Sequence, residues 1–277
     1  MNTQDIRVAI LRIEGTNCED ETARAFSRLG AKPEIIHLKQ LLGIDVRNQD
    51  KRSLSDYQCL MIPGGFSAGD YVRSGAIFSA RMKGALRSEL KDFVEKGYPV
   101  GGICNGFQIL VELGLLPALD ETMPDSPTAS LRQNDSARFE CRHVYLKQEN
   151  TNCAWTKNIP SKKILEMPVA HGEGNFTLPS NLKEEHLKKL ENNKQIVFRY
   201  SDVSGNTNAG YPWNPNGAIS NIAGICNPKG NVFGMMPHPE RVFDSWTHSA
   251  PGRINRGTTG DGRAVFESVL EYIKEMF

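Results

Sequence analysis

The chain has 277 residues, and its 33 Lys and Arg side chains against 32 Asp and Glu give a formal net charge of +1. A charge so close to neutral argues against binding to nucleic acid or to an anionic membrane. No apolar run approaches the roughly 20 residues that span a bilayer, and the first residues lack a basic-then-apolar leader pattern. We therefore expect a cytoplasmic protein. None of the six cysteines is spaced as C-x-x-C, so neither a disulfide framework nor a zinc ribbon is indicated.

The first part of the chain alternates apolar runs with amphipathic segments. The apolar runs predict strands at 6–13, 34–38, 57–62 and 98–103. Helices are predicted from an N-cap at Asn17 to Gly30, over 79–96 and over 105–113. This alternation favours an α/β fold, with a mostly parallel central sheet flanked by helices on both faces.

The middle of the chain, from 139 to 234, is rich in predicted strands, at 144–147, 196–200, 222–226 and 232–235. Two helices are predicted, at 183–191 and 264–276. Polar stretches rich in Gly, Pro and Asn predict surface loops at 117–136, 201–217 and 245–260. None of these loops resembles a domain linker, so we expect one domain that covers residues 1–277.

A glycine-flanked cysteine follows the apolar run 98–103. Gly102 and Gly106 lie two residues before and after Cys104, which is the thiol version of the G-x-S-x-G turn between a strand and a helix. Glycines permit this sharp reversal, because a Cβ would collide with neighbouring backbone. A helix beginning just after Cys104 would direct unpaired N–H groups at the sulfur and favour its thiolate form. The pattern alone also fits a buried cysteine in a tight turn.

His238 and Glu240 are the candidate base and orienting acid. Both follow the apolar run 232–235, and Pro239 between them favours an extended backbone at His238. Side chains two residues apart on an extended chain point the same way, so the carboxylate can hold the imidazole in one tautomer. We predict that His238 deprotonates Cys104 and later protonates the departing amine. Without the cysteine, the same residues would fit a histidine in a proline-rich turn.

Acyl chemistry at Cys104 also requires N–H donors for a tetrahedral oxyanion. The N–H of Asn105, at the start of the predicted helix, can supply one. Gly65 is the better candidate for the second, because the Pro63-Gly64-Gly65 turn lets backbone approach closely. An ordinary strand-ending turn would have the same sequence.

With these residues in place, the chain resembles the class I, triad-type glutamine amidotransferases. The shared motifs are G-x-C-x-G-x-Q from Gly102 to Gln108, P-G-G upstream and H-P-E downstream. Longer strings narrow the resemblance to the glutaminase subunits of phosphoribosylformylglycinamidine synthase; they are GTNCE at 15–19, PGGFSAGD at 63–70, CNGFQIL at 104–110, AHGEG at 170–174, NPNG at 214–217 and GMMPHPER at 234–241. These strings extend over almost the whole chain.

The resemblance implies a role for each matching residue. The triad would be Cys104, His238 and Glu240, and the oxyanion donors would be Gly65 and Asn105. Bound glutamine would be held by Gln108, His171, Gly172 and Glu173. For His171, backbone contacts to glutamine and a purely structural role in its loop are both open.

The implied reaction is hydrolysis of glutamine, with the ammonia delivered to a synthetase that makes phosphoribosylformylglycinamidine in purine biosynthesis. The chain has no G-x-x-x-x-G-K-[ST] phosphate loop, and the implied chemistry requires no metal or organic cofactor. ATP and Mg are expected on a large synthetase subunit, and a small bridging subunit is a further expected partner. Because free ammonia would be wasted, we expect the chain alone to be a poor glutaminase.

The sequence also departs from the family pattern. Ala68 stands where Tyr is usual, and the loops 117–136 and 245–260 look longer than in compact relatives. The main alternative is an amidotransferase subunit that serves a different synthetase, and the strings CNGFQIL and AHGEG argue against it. A chaperone or stress hydrolase with an elbow cysteine would lack H-P-E, and a non-catalytic scaffold would not keep the triad. Cys18 has no obvious base beside it, so we expect it to be structural.

Overall fold

The computed structural model describes residues 1–149, 152–160, 163–249 and 258–277. Its helices are α1 (Glu19–Arg28), α2 (Leu38–Leu42), α3 (Ala76–Glu95), α4 (Asn105–Leu113), α5 (Lys183–Asn192) and α6 (Arg263–Met276). Its strands are β1 (Arg7–Arg12), β2 (Lys32–His37), β3 (Cys59–Ile62), β4 (Val100–Ile103), β5 (Ser130–Arg132), β6 (Glu140–Gln148), β7 (Ile164–His171), β8 (Asn175–Thr177), β9 (Ile196–Ser201), β10 (Ile222–Cys226) and β11 (Val232–Met235).

Nine of these strands form one sheet, in the order β2-β1-β3-β4-β11-β10-β9-β6-β7. The first four pairs of neighbours, β2–β1, β1–β3, β3–β4 and β4–β11, are parallel. The remaining four pairs, β11–β10, β10–β9, β9–β6 and β6–β7, are antiparallel. Every residue of β3, β4 and β11 is buried, as expected where a sheet is covered on both faces. The predicted α/β fold is confirmed, and its parallel half carries the candidate site.

Helices cover both faces because the chain crosses over in opposite directions along the sheet. It passes from β1 through α1 to β2 toward one edge, and from β3 through α3 to β4 toward the other. Right-handed crossovers in opposite directions place their helices on opposite faces. Accordingly, α1 contacts α6 while α3 contacts α4.

The parallel half of the sheet brings distant sequence motifs to a single edge. Cys18 lies in the loop after β1, Gly64 after β3, Cys104 after β4 and His238 after β11. All of these strands are parallel, so their carboxyl ends lie at the same edge, where open α/β sheets place their ligand sites. The loops that carry the candidate catalytic residues therefore meet at this edge of the sheet.

Several predicted boundaries are corrected by the structure. The first helix has Cys18 rather than Asn17 as its N-cap, and this cap makes no side-chain hydrogen bond. The predicted loop 117–136 contains β5, which pairs with β8 in a separate antiparallel sheet. The sequence pattern does not single out β7, because it includes Glu166 and Pro168; proline is tolerated there because β7 is an edge strand.

The structure confirms most of the predicted loop 201–217 and describes only part of the predicted loop 245–260. The loop 201–217 is confirmed beyond Ser201, where β9 ends. Within 245–260, Ser245–Thr247 forms a 3-10 turn and Thr259 pairs with Asp244, while residues 250–257 lie outside the described residues. Across the described ranges, no helix combines the length and the apolar character needed to cross a membrane.

Candidate active site

Cys104 lies at a sharp corner between β4 and α4. Its backbone has φ 52° and ψ −107°, a conformation that non-glycine residues rarely adopt. Cys104 N donates to Met235 O at 2.8 Å, which ties the corner to β11. A Cβ on Gly106 would lie 1.9 Å from Ile62 O, and one on Gly102 would lie 2.5 Å from Gly106 O. The predicted corner is therefore present, and both flanking glycines are needed to form it.

His238 and Glu240 are in contact, as the sequence predicts. His238 Nδ1 lies 2.6 Å from Glu240 Oε1, and both side chains are buried. Because a carboxylate only accepts, Nδ1 donates to Glu240, and Nε2 is the nitrogen left to exchange a proton with another group. Nε2 is buried and has no hydrogen-bond partner among the described residues. Burial alone would lower the pKa of His238, but the Glu240 carboxylate and the Cys104 sulfur raise this pKa well above its usual value.

Gly64 occupies the point where the neighbouring loops meet. A Cβ built on it would lie 2.8 Å from His238 Cε1, 3.3 Å from Cys18 Sγ and 3.4 Å from Cys104 Cβ. The missing side chain therefore leaves the space in which the imidazole approaches the elbow cysteine. Cys104 Sγ itself lies 3.7 Å from the Ala170 carbonyl oxygen. The sequence marks Gly64 as part of a turn, but this packing role depends on three loops that are distant along the chain.

Cys18 lies closer to His238 than its sequence context indicates. Its Sγ is 4.0 Å from His238 Nδ1, and Arg241 Nη2 donates to it at 3.3 Å. The expectation that no base lies beside Cys18 is therefore wrong, because the loops after β1 and β11 meet over the sheet edge. Cys18 nevertheless faces the nitrogen that Glu240 already engages. Burial also raises the pKa of the Cys18 thiol, which disfavours its thiolate form.

The candidate oxyanion donors lie in adjoining backbone segments. Asn105 begins α4, where a first-turn N–H has no acceptor within the helix. Gly65 has φ 149°, and a Cβ on it would lie 2.7 Å from Asn17 N. The backbone around Gly65 is held by three hydrogen bonds: Phe66 N to Gly15 O (2.8 Å), Asn17 N to Gly64 O (3.2 Å) and Cys18 N to Gly64 O (3.1 Å). The 15–18 segment therefore clamps the glycine turn in place.

Gln108 links α4 to the AHGEG segment. Its Oε1 accepts from Asn105 Nδ2 at 3.0 Å, and its Nε2 donates to Glu173 O at 2.5 Å. Ser67 N in turn donates to Asn105 Oδ1 at 3.3 Å. Among the described residues, the contacts of the Gln108 side chain use one of its two amide hydrogens and one of its two oxygen lone pairs.

The His171–Glu173 segment forms a turn that Asn134 holds from within. Asn134 Oδ1 accepts from Gly174 N at 3.0 Å and lies 3.2 Å from His171 Nδ1, while Asn134 Nδ2 donates to His171 O at 2.8 Å. Burial, followed by the charge of His238, lowers the pKa of His171 to about 3, so its imidazole is neutral. Glu173 Oε2 accepts from Ser74 N at 3.1 Å. These contacts show a structural use of the His171 side chain, and nothing in the sequence singles out Asn134.

A cysteine at a strand-to-helix corner, beside a histidine oriented by a carboxylate, can form and hydrolyse a thioester. The α/β sheet that carries it is the sheet of the glutamine amidotransferases. The chain belongs to the family of CobB/CobQ-like glutamine amidotransferase domains, whose model matches residues 5–273. It is 52% identical over 278 residues to phosphoribosylformylglycinamidine synthase subunit PurQ of Archaeoglobus fulgidus, and the match covers 100% of each chain.

Solved structures agree with this assignment. The chain matches the structure of PurLQS from Thermotoga maritima with a TM-score of 0.68 and 31% identity, over 97% of this chain and 99% of that chain. It also matches a glutamine amidotransferase from Thermotoga maritima with a TM-score of 0.54 and 17% identity, over 98% of this chain and 99% of that chain. The second similarity concerns the fold alone.

Proposed function

We propose that the chain is the glutaminase subunit of phosphoribosylformylglycinamidine synthase. It hydrolyses glutamine to glutamate and passes the ammonia to a synthetase in purine biosynthesis. The observation that carries this proposal is the His238–Glu240 pair packed beside the Cys104 elbow, in a chain that is 52% identical to a PurQ subunit over its full length.

The reaction begins with proton transfer from Cys104 Sγ to His238 Nε2. This nitrogen is available because Nδ1 donates to Glu240. Rotation about the Cα–Cβ bond of Cys104 turns the sulfur from the Ala170 carbonyl oxygen, its present neighbour, toward the imidazole. Glu240 stabilises the resulting imidazolium without taking the proton itself.

The thiolate then attacks the side-chain carbonyl carbon of glutamine. The N–H groups of Gly65 and Asn105 bind the oxyanion that forms. His238 returns its proton to the amide nitrogen, the carbon–nitrogen bond breaks, and ammonia leaves a thioester on Cys104. Water, deprotonated by His238, hydrolyses the thioester to glutamate and frees the thiol.

Glutamine is held at its amino-acid end by Gln108 and by the turn His171, Gly172 and Glu173. The hydrogen bond between Gln108 Nε2 and Glu173 O supports this placement, because it joins the elbow helix to the turn. The side chain of His171 contributes by shaping the turn through Asn134.

The chemistry requires no metal or organic cofactor in this chain, because glutamine and water supply every atom of the products. We propose that ATP and Mg act on a large synthetase subunit, which uses the ammonia. A small bridging subunit completes the complex. The matched structure of PurLQS supports an assembly of three kinds of subunit.

We also propose a cytoplasmic location and a single domain covering residues 1–277. One continuous apolar cluster, from Ile6 to Ile273, supports the single domain. Cell fractionation tests the location. Coincident unfolding transitions measured on the chain by far-UV circular dichroism and by tryptophan fluorescence test the single domain.

An amidotransferase subunit that serves a different synthetase is the alternative. It would use the same centre, because ammonia is the product in each case. The full-length identity to a PurQ subunit favours the first proposal.

Reconstitution of the complex tests whether this chain releases the ammonia that the synthetase subunit uses. The complex with its partners is assayed for phosphoribosylformylglycinamidine with either glutamine or an ammonium salt. Cys104→Ser should abolish the glutamine-dependent reaction and leave the ammonium-dependent one intact. Cys141→Ser, which alters an exposed thiol, is the matched control and should keep both. Amidation of a different acceptor would favour the alternative, and loss of both activities in Cys104→Ser would contradict the proposal.

A further inference from the structure

The space between Cys18 and the His238–Glu240 pair is surrounded by metal-binding atoms. Cys18 Sγ lies 4.0 Å from His238 Nδ1, which lies 2.6 Å from Glu240 Oε1. The donor atoms of all three residues lie within 4.8 Å of one another, and all three side chains are buried. Thiolate, imidazole and carboxylate bind zinc at about 2.0–2.3 Å, which separates neighbouring donors on a tetrahedral ion by about 3.3–3.6 Å. The donors here deviate from that spacing by roughly 1 Å, and rotation of the Cys18 and Glu240 side chains about a fixed imidazole would supply the difference.

We propose that Cys18, His238 and Glu240, here called the Cys18 cluster, bind a thiophilic divalent cation such as zinc, and that the bound ion inhibits glutamine hydrolysis. On binding, the Cys18 thiol releases its proton to solvent. The imidazole proton moves from Nδ1 to Nε2, so that Nδ1 and the Glu240 carboxylate can coordinate the ion, with water as the fourth ligand. The inhibition rests on the proposed function, whereas the binding does not.

Inhibition follows from the position of the imidazole proton. In the metal-free enzyme, Nδ1 donates to Glu240, and Nε2 is the nitrogen that exchanges a proton with the Cys104 thiol. In the metal-bound enzyme, Nε2 is protonated and Nδ1 is coordinated, so no lone pair remains for the thiol. The ion therefore stops the reaction at its first step without occupying Cys104.

A cavity beside Glu240 is the proposed route by which the cation reaches the Cys18 cluster. A cavity of about 360 Å³ is lined by Glu240 and Arg241, together with Glu21 and Asp244. Its described lining includes none of the residues proposed to hold glutamine. The cavity meets the Cys18 cluster at Glu240, on the side of His238 away from the proposed glutamine-binding residues. On this proposal the ion does not occupy the glutamine site, so zinc should lower kcat and leave KM for glutamine unchanged.

Arg241 is the natural competitor of the cation. Its Nη2 donates to Cys18 Sγ at 3.3 Å, and its Nε donates to Glu21 Oε2 at 3.3 Å. Its side chain is 36% exposed, so it can withdraw toward the cavity when an ion arrives. Arg241→Gln removes a positive charge and leaves all three ligands in place. We expect this variant to bind zinc at least about tenfold more tightly, because like charges this close repel strongly.

The donor set also predicts which ions bind. Sulfur and imidazole favour zinc and cadmium, whereas Mg²⁺ takes oxygen ligands in octahedral geometry. Mg²⁺, which the synthetase reaction is expected to use, should therefore leave the Cys18 cluster empty. Millimolar Mg²⁺ should not protect the enzyme from zinc.

The binding experiment uses the full chain carrying Cys104→Ser, which removes the nucleophile and keeps the Cys18 cluster. Zinc affinity is measured by competition with a chromophoric chelator, and cadmium–thiolate charge-transfer absorption reports the sulfur ligand. We expect one zinc per chain, at least about a hundredfold weaker binding when Cys18→Ser is added, and tighter binding when Arg241→Gln is added. Cys141→Ser on the same background is the control and should bind zinc normally.

Four outcomes overturn the inference: no zinc bound by Cys104→Ser, unchanged affinity after Cys18→Ser, unchanged affinity after Arg241→Gln, or zinc competing with glutamine in the wild-type complex. Arg241→Gln keeps the proposal falsifiable if Cys18→Ser does not fold. A failed zinc titration in a complex that still hydrolyses glutamine would reject this site and leave the proposed function standing.

Discussion

Replacing Gly64 with alanine should disable glutamine hydrolysis in a chain that still folds. The added Cβ would lie 2.8 Å from His238 Cε1, 3.3 Å from Cys18 Sγ and 3.4 Å from Cys104 Cβ. Gly64 is not among the residues with positive φ, so alanine fits its backbone conformation. The perturbation is therefore a single methyl group placed between the proposed base and the proposed nucleophile.

The displacement of the His238 imidazole determines the expected loss of rate. Non-bonded carbon atoms pack at about 3.5–4.0 Å, so the imidazole must move by roughly 1 Å. His238 cannot move freely, because Glu240 holds Nδ1 and Pro168 O accepts from the His238 N–H. A misplacement of about 1 Å at a reacting group costs on the order of 10²-fold in rate. The overpacking should cost about 1–3 kcal/mol, less than the usual stability of a domain.

The assay measures glutamate release in the complex, together with the free energy of unfolding of the chain. Gly84→Ala is the matched control, since a Cβ on Gly84 meets nothing within 4 Å. It should keep full activity and gain about 0.4–1 kcal/mol of stability. If Gly64→Ala retained a kcat within a few-fold of the wild type, His238 could not act from the position that the structure gives it.

Three further predictions concern neighbouring parts of the site. Gly65→Ala, whose Cβ would lie 2.7 Å from Asn17 N, should lower kcat by about 10²–10³-fold through one misplaced oxyanion donor; an unchanged kcat would remove Gly65 from the oxyanion hole. The pKa of His171 is lowered to about 3 in the folded chain, so below pH about 6.5 the unfolded chain binds one more proton. Denaturant titrations measure the free energy of unfolding as the pH falls from about 6 to 4. Over this range the wild type should lose about 1.4 kcal/mol more per pH unit than His171→Asn, and equal slopes would contradict a neutral buried imidazole. The isolated chain should hydrolyse glutamine about 10²–10³-fold more slowly than the assembled complex if a partner completes the oxyanion hole, and equal rates would reject such gating.

The proposed triad was accessible from sequence because each member lies in a short local pattern. Glycines on both sides of Cys104 indicate a strand-to-helix corner, and Pro239 places His238 and Glu240 on the same side of an extended segment. Strands that run parallel bring their carboxyl ends together, so these distant motifs were expected to meet. The 2.6 Å contact between His238 and Glu240 agrees with that reasoning.

Other features of the site depend on which loops become neighbours, and local patterns do not encode this. Cys18 approaches His238 because β1 and β11 flank β3 and β4 in the sheet, an order that no stretch of sequence specifies. Asn134 holds the His171 turn from a segment that reads as loop. The length and position of β7 were equally inaccessible, since its charged residue and proline interrupt the apolar pattern.

Two thiols lie near His238, and the central claim is that Cys104 is the one that attacks glutamine. Cys18 Sγ lies 4.0 Å from Nδ1, whereas Cys104 occupies the strained corner at the start of α4. The most direct test treats the complex with a diazo-ketone analogue of glutamine and locates the modified peptide by mass spectrometry. We predict a single label on Cys104, retained in Cys18→Ser and absent in Cys104→Ser. A label on Cys18, with Cys104 unmodified, would contradict the account.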